Sequence, residues 1–148
     1  MRSRLSLLCN YDRFSRWVEA IPTNDQTAHT VAIVFYTNWV SRFGSPRIIT
    51  TDRGRQFESH LFQAIIKLVG CERIRTTAYH PASNGLIESW HREVKLAIMC
   101  HNARFNWVDT LPTVLLGLRT SVRLELDSSP AEYLYGTSIQ SPRGVCNV

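Results

Sequence analysis

The sequence predicts an α/β layered fold, in which strands and helices alternate along one chain. Short runs rich in β-branched and aromatic residues, bounded by turn-forming residues, indicate the strands. Longer segments with a helical stripe of apolar residues, closed by glycine, indicate the helices. A chain of 148 residues has the length of one domain that buries a core of its own.

The predicted elements run in the order strand, strand, helix, strand, helix, strand and two further helices. Residues 5–11 and 17–21 read as two strands joined by a tight turn. A helix over 27–43 follows, and Gly44 ends its apolar stripe. The remaining elements are a strand at 47–51, a helix at 59–69, a strand at 72–77 and helices at 84–101 and 107–119, before a Pro-containing tail.

The composition is that of an ordinary soluble globular protein, with 44% apolar and 20% charged residues. The net charge is +5, and the 17 basic residues include only two lysines, Lys67 and Lys95. Arginine presents a planar fork of donors that suits phosphate, so this surface is consistent with a nucleic-acid partner. No run of about 18 apolar residues exists, so we expect no membrane span.

The cysteines indicate neither a disulfide scaffold nor a zinc site. They stand far apart, at Cys9, Cys71, Cys100 and Cys146, with no Cys-x-x-Cys pair and no paired histidine spacing. Such a pattern is typical of reduced thiols in an intracellular protein.

Asp52 and Glu88 are the candidate metal ligands. Asp52 follows the predicted strand at 47–51 and precedes a glycine turn, and Glu88 follows a polar loop at the start of a helix. Mg²⁺ takes hard oxygen ligands from one or two carboxylates and leaves room for phosphate. The chain has 5 Asp and 7 Glu, which allow 35 pairings, so their spacing alone decides nothing. The flanking residues decide it.

Those flanks closely resemble the catalytic core of retrotransposon and retroviral integrases, in the long-terminal-repeat branch of that family. The two main segments are 50–57, TTDRGRQF, and 79–89, YHPASNGLIES. Three further segments resemble the family, at 12–22 (DRFSRWVEAIP), 107–112 (WVDTLP) and 129–136 (SPAEYLYG). The resemblance implies a ribonuclease-H-like three-layer fold, a mixed sheet flanked by helices, over residues 1–148. It implies neither the family's zinc-binding N-terminal domain nor its C-terminal DNA-binding domain in this chain.

The same resemblance implies a third carboxylate that is missing here. In the family, the first catalytic Asp lies on an opening strand before the position of Asp12, and none of the 11 residues before Asp12 is acidic. We therefore expect an N-terminally truncated core that lacks the first central strand and has a weakened sheet. We expect Asp12 to hydrogen-bond the backbone two residues on, in a turn, and not to bind metal.

The resemblance implies DNA integration by metal-dependent polynucleotidyl transfer, which comprises 3′-end processing and strand transfer. Asp52 and Glu88 would be the catalytic residues and the ligands of Mg²⁺ or Mn²⁺. With a single protein carboxylate for each metal ion, binding should be weak and the chain alone inactive or severely impaired. The implied partners are DNA, both element ends and target duplex, and further copies of the chain in a homodimer or higher oligomer. The protein would work in the nucleus of a eukaryotic host, or otherwise in the cytoplasm.

Five residues are candidates for DNA contact. His91, Arg92 and Lys95 lie three, four and seven residues after Glu88, so they share its helix face. Tyr79 and Asn84 match positions of the family's mobile active-site loop, whose shape Pro81 and Gly85 would set.

Other interpretations compete with this one. Glu88 and Arg92 have the spacing of an ordinary surface ion pair, which contributes little to stability. The runner-up function is a non-catalytic remnant that binds nucleic acid or a protein partner. A ribonuclease-H-like nuclease is a third possibility, against which the loop before Glu88 argues. Trp17, Trp39 and Trp107 read as core, whereas Trp90 neighbours the basic face, and Asp109 and Glu125 read as solvated.

Overall fold

Four strands and seven α-helices occur in the residues that this computed structural model describes, which are 5–76, 81–100, 106–140 and 142. The strands are β1 (Ser6–Tyr11), β2 (Val18–Thr23), β3 (Ile48–Thr51) and β4 (Glu72–Arg75). The helices are α1 (Ala28–Phe35), α2 (Ser41–Phe43), α3 (Arg55–Glu58), α4 (His60–Val69), α5 (Pro81–Cys100), α6 (Trp107–Thr120) and α7 (Pro130–Tyr135). A π-helical stretch, Tyr36–Val40, joins α1 to α2.

The predicted order of strands and helices is confirmed, and two helices are additional. Helix α3 is a single turn between Gly54 and Ser59. Helix α7 lies in the segment predicted as a tail, where Ser129 and Glu132 form a capping box. Each side chain of that box satisfies a backbone N–H that the helix itself leaves unpaired, which allows so short a helix to form.

The chain divides into two compact units. The first contains residues 5–10 and 20–76 with the start of α5. The second contains residues 11–19, the remainder of α5 from Leu86 onward, and 106–140.

The strands form two separate sheets of two strands each. Strands β1 and β2 are consecutive and pair as a hairpin, and β3 pairs in parallel with β4, from Ile48 beside Glu72 to Thr51 beside Arg75. Within the described part of the chain no ladder joins one pair to the other. The single mixed sheet of the prediction is thus present as two separate two-stranded pairs among the described residues.

The first unit is built on a cluster of helix side chains, Val31 and Phe35 from α1 and Phe62 and Ile66 from α4. Leu8 of β1 and Ile49 of β3 pack against that same cluster. Both sheets of this unit therefore rest on one apolar layer, and burial of that layer is the main stabilising term.

Helix α4 begins and ends where its sequence dictates, and it buries Phe62 and Ile66. The Ser59 hydroxyl accepts from the Phe62 N–H at the start, and Gly70 adopts a left-handed conformation at the end. Leu61 and Leu68 lie outside the buried side, at 42% and 84% exposure. The inward stripe passes through Phe62 and Ile66, and a residue two positions beyond Ile66 lies on the opposite side of a 3.6-residue turn.

Asp12 closes the hairpin turn of the second unit. Its Oδ2 accepts hydrogen bonds from both the backbone N–H and the hydroxyl of Ser15. The predicted turn role is confirmed, although the contact reaches three residues on instead of two.

A buried network around Arg119 of α6 organises the second unit. Two of its guanidinium nitrogens donate to the backbone oxygen of Val18, at 3.0 and 2.7 Å, and Nη2 reaches the Glu19 carboxylate at 2.8 Å. The same guanidinium stacks on the Trp17 ring, and the Trp17 indole N–H donates to Glu19 at 3.0 Å. Glu19 is thereby buried with its charge compensated, which burial of a carboxylate requires.

Two further expectations concern membranes and thiols. None of the helices in the described ranges is long and apolar enough to cross a membrane. Cys9, Cys71 and Cys100 are free thiols, and Cys146 lies outside the described residues. Burial raises the pKa of the Cys9 thiol to about 12, so this group stays protonated at neutral pH.

The Arg119 network should contribute measurably to stability. We expect Arg119→Met to lower the free energy of unfolding by about 3 kcal/mol, because it leaves the buried Glu19 charge without its cationic partner. Urea unfolding followed by tryptophan fluorescence measures this, since Trp17, Trp90 and Trp107 all lie in the second unit.

Arg92→Gln serves as the control, because Arg92 is exposed in the same unit and should change stability by less than about 0.5 kcal/mol. The double variant Glu19→Met, Arg119→Met should be more stable than Arg119→Met alone. A single variant as stable as the unsubstituted chain would contradict the role of the network.

The divided sheet should show in hydrogen exchange. Among the described residues strand β3 pairs with β4 alone, and an isolated two-stranded pair is marginally stable in water. We expect the amides of β3 to exchange faster than those of α6, as measured by hydrogen exchange with mass spectrometry. Equal protection of β3 and α6, together with one cooperative unfolding transition of ordinary stability, would show that the sheet is not weakened.

Candidate functional site

Asp52 lies where the sequence predicts it, directly after strand β3 and exposed to solvent. One carboxylate oxygen, Oδ1, accepts a hydrogen bond from the Gly54 N–H at 2.8 Å. The other oxygen, Oδ2, accepts none from the residues that the structure describes. An oriented carboxylate with one open oxygen is a suitable ligand for a hard cation such as Mg²⁺.

Gly54 is set apart by the close approach of two side chains and not by an unusual backbone angle. Its φ is −56°, which any residue adopts. A Cβ at this position would lie 2.9 Å from Asp52 Oδ1 and 2.8 Å from each of the two amide atoms of the Gln56 side chain. A larger residue would therefore displace the Asp52 carboxylate or the Gln56 side chain.

The backbone on either side of Asp52 is held by residues of and beyond strand β4. The Thr76 N–H donates to the Thr51 oxygen at 2.9 Å, and the Thr76 hydroxyl contacts the same atom at 3.3 Å. Arg73 donates through Nε to the Thr51 hydroxyl at 2.9 Å and through Nη2 to the Asp52 oxygen at 3.4 Å. The Thr51 hydroxyl donates to that Asp52 oxygen at 3.0 Å.

Arg73 is itself fixed by an ion pair and a ring. Its Nη2 lies 2.8 Å from Glu58 of α3, and its guanidinium carbon lies 5.8 Å from the centre of the Phe62 ring. Arg75 contacts the other Glu58 oxygen at 3.0 Å from a much more exposed position. Sequence reasoning did not single out Arg73, because an Arg in an alternating strand reads as a solvent-facing residue.

Glu88, His91, Arg92 and Lys95 are all exposed on α5. The opposite side of the helix buries Trp90, Val94 and Ala97. The ion pair that the spacing of Glu88 and Arg92 permits is not formed among the described residues. Trp90, which the sequence left uncertain, is a core residue at 2% exposure, and its ring meets that of His91 edge-on at 5.4 Å between centroids.

Arg123 secures α5 from its less exposed side. Its two terminal nitrogens contact both oxygens of Glu93, at 3.2 and 2.8 Å. Hydrogen bonding to Glu93 raises the pKa of Arg123, despite the opposing effect of burial. This two-point contact fixes the rotation of the helix, and with it the direction in which the exposed face points.

The two loop candidates fare differently. Tyr79 lies outside the described residues. Asn84 lies within α5, whose first residue is Pro81, so it is part of a helix and not of a loop, and its side chain is outside the described set. The expectation that Pro81 and Gly85 shape a loop is therefore wrong, because proline is tolerated in the first turn of a helix, where its missing N–H costs no bond.

The two candidate metal ligands belong to different units, Asp52 to the first and Glu88 to the second. Each offers an exposed carboxylate, the ligand type that Mg²⁺ prefers. In the described ranges there is no group of three or more His, Cys, Asp or Glu side chains placed to hold a metal ion. Asp52 and Glu88 are thus each a suitable ligand for Mg²⁺ by the chemistry of the carboxylate.

Comparison with known proteins identifies relatives among retroviral polyproteins. The chain is 34% identical over 133 residues to the Gag-Pol polyprotein of baboon endogenous virus, and 35% identical over 133 residues to the Pol polyprotein of radiation murine leukemia virus. Each alignment covers 88% of this chain, but only 8% and 23% of those two polyproteins. The chain therefore spans a small part of the length of these relatives.

A solved structure confirms the ribonuclease-H-like fold. The HTLV-2 integrase catalytic core domain, described in complex with magnesium in a trimeric form, superposes with a TM-score of 0.74 at 18% identity. The superposition covers 88% of this chain and 85% of that one. The family model described as integrase core domain matches residues 2–81, which is more than half of the 148 residues and includes Asp52. By that match, the chain belongs to the integrase core domain family.

Proposed function

We propose that this chain acts in DNA integration, by metal-dependent polynucleotidyl transfer. In 3′-end processing, water would break a phosphodiester bond near the end of the element. In strand transfer, the freed 3′-hydroxyl would displace a 3′-oxygen of the target strand, so that one P–O bond forms as another breaks. The observation that carries the proposal is the integrase core match, which includes Asp52. Asp52 is an exposed carboxylate directly after β3.

Asp52 and Glu88 are the proposed ligands of Mg²⁺, with Mn²⁺ as its substitute. The HTLV-2 relative is described in complex with magnesium, and both side chains offer hard oxygen ligands at exposed positions. The ion would supply positive charge at the attacking and leaving oxygens of the phosphate. The contribution of the chain is to hold the Asp52 side chain, directly after β3, in one direction through the Gly54 N–H.

The exposed face of α5 is the proposed DNA contact. His91, Arg92 and Lys95 project from a helix whose other side is packed. These side chains can therefore contact DNA while the buried side of the helix stays in the core. Phosphate contacts of this kind position DNA and make its binding depend on salt. Tyr79 and Asn84 complete the proposed DNA-binding set by resemblance alone.

The proposed partners are an element end, a target duplex and further copies of the chain. The description of the HTLV-2 core domain as a trimeric form supports an oligomer of at least two chains. Action on chromosomal DNA would place the protein in the nucleus of a eukaryotic host.

A second candidate function is DNA binding without catalysis. The α5 face favours it, because His91, Arg92 and Lys95 need neither Asp52 nor a metal ion to contact phosphate. The two candidates differ in one measurable respect, which is whether DNA ends become joined.

Joining of DNA should require the carboxylate of Asp52. In an assay that joins a labelled duplex end to plasmid DNA with Mg²⁺ or Mn²⁺, we expect Asp52→Asn to reduce joining on the order of 100-fold, because the neutral amide binds the ion poorly. Glu88→Gln should have a similar effect. Asp109→Asn, at an exposed position on α6, should leave joining unchanged.

Joining that persists in Asp52→Asn would contradict the catalytic proposal. Duplex binding by the unsubstituted chain without any joining, in either metal, would favour the second candidate. It would also agree with the expectation that this chain alone is inactive or severely impaired.

Binding to duplex DNA should depend on Lys95 but not on Lys67. Both lysines are exposed, Lys95 on α5 and Lys67 on α4, and they are the only two in the chain. We expect Lys95→Gln to weaken binding several-fold and to reduce the slope of log affinity against log salt by about 1, as loss of one phosphate contact does. Fluorescence anisotropy over a series of salt concentrations measures both quantities. Equal effects of Lys95→Gln and Lys67→Gln would show that α5 is not the DNA-binding face.

A further inference from the structure

Arg73 is the one side chain of β4 that reaches both residues at the end of β3. It donates to the Thr51 hydroxyl and to the Asp52 backbone oxygen, and the Thr51 hydroxyl donates to that oxygen as well. The peptide group between Asp52 and Arg53 is therefore held by two donors, the Thr51 hydroxyl and the cationic Arg73 guanidinium. Asp52 itself makes no side-chain contact with Arg73 in these bonds.

The chemistry of the position requires arginine. The guanidinium has donors in several directions within one plane, and here they serve Thr51, Asp52 and Glu58 at once. The Arg73 side chain is only 9% exposed, and its charge-assisted bonds to Thr51 and Glu58 are partly sheltered from water, whereas its bond to the Asp52 oxygen is exposed. A lysine would keep the charge but has no planar fork with which to span the three acceptors.

The direction of the Asp52 carboxylate follows from the backbone that Arg73 holds. The carboxylate is attached at the end of β3, and its Oδ1 meets the Gly54 N–H two residues on at 2.8 Å. A rotation of the peptide group between Asp52 and Arg53 would move Gly54 relative to that oxygen. Loss of the Arg73 bonds should therefore be felt at the Gly54 hydrogen bond, although Arg73 does not touch Gly54.

We propose that Arg73 is a positioning residue for the Asp52 carboxylate, acting through the Thr51 hydroxyl and the Asp52 backbone oxygen. Its consequence for metal binding rests on the proposed function, in which Asp52 is a metal ligand. Its consequence for the Gly54 hydrogen bond does not. Groups that orient a metal ligand without touching the metal commonly change affinity by 10-fold or more when removed.

Arg75 provides a matched control for Arg73. Both are arginines of the same strand and both pair with Glu58, at 3.0 and 2.8 Å. Among the described residues the Arg75 side chain forms no hydrogen bond with Thr51 or Asp52, although Arg75 lies beside Thr51 in the ladder. Comparison of Arg73→Gln with Arg75→Gln therefore separates support of the Asp52 backbone from simple loss of a cation beside Glu58.

The first measurement needs no metal and follows the Gly54 amide by NMR. In Arg73→Gln we expect this amide to exchange with solvent about tenfold faster and its proton shift to move toward that of Asp52→Ala, in which the acceptor is gone. Arg75→Gln should resemble the unsubstituted chain. Equal responses of the two Gln variants, or no response to Arg73→Gln, would overturn the inference.

The second measurement adds Mn²⁺ and follows paramagnetic broadening of the Gly54 signal. We expect Arg73→Gln to raise the concentration needed for half-maximal broadening about tenfold, with no such rise in Arg75→Gln. Broadening absent from the unsubstituted chain as well as from Asp52→Ala would refute the metal role of Asp52. The Gly54 amide data alone would then decide the positioning role.

Thr51→Val keeps the inference testable if Arg73→Gln fails to fold. Valine preserves the shape and strand propensity of threonine but removes the hydroxyl that links Arg73 to the Asp52 oxygen. We expect it to shift the Gly54 amide and the Mn²⁺ response in the same direction as Arg73→Gln, by a smaller amount. A Thr51→Val chain with an unchanged Gly54 amide would count against the proposed route.

Discussion

The end of strand β3 is the constraint on which the candidate metal chemistry depends. A metal ligand must be exposed to reach its ion, yet its side chain must also keep one orientation. An exposed side chain has fewer neighbours to fix its orientation. The molecule meets both demands by exposing the Asp52 carboxylate while it buries the adjacent Thr51, and Phe62 beside Arg73. The exposed group thus stands on a backbone whose polar atoms are bonded to Arg73 and Thr76.

The second unit solves a similar problem on a helix. The basic face of α5 presents His91, Arg92 and Lys95 to solvent, and a helix that only did this would have little to hold it in place. Burial of Trp90, Val94 and Ala97 on the opposite side supplies that hold, and the two-point contact between Arg123 and Glu93 fixes the rotation. The helix that carries these basic side chains is held in place by its buried apolar residues and by one ion pair.

Local patterns predicted most of the fold, and the misses have physical causes. Helix α4 was predictable because Ser59 and Gly70 mark its ends and Phe62 and Ile66 its buried side. Helix α3 was missed because a single turn has no periodicity to detect, and α7 because its signal is a capping box and not an apolar stripe. Asp52 was predictable from a strand followed by a glycine turn. Arg73 was not, because its partners lie 15 to 22 residues away in the chain, a separation that a pattern of neighbours does not encode.

The divided sheet gives Arg73 its importance. Leu8 of β1 and Ile49 of β3 rest on one apolar cluster, yet in the described part of the chain β3 receives ladder bonds from β4 alone. A strand paired on both sides has its end fixed by two neighbours, whereas a strand paired on one side can tilt about the ladder that it has. Side-chain bonds from Arg73 and Thr76 reach past the last ladder pair, at Thr51 and Arg75, and restrain that tilt where Asp52 begins. The direction of the carboxylate therefore depends on β4 and its side chains to a degree that a complete sheet would not require.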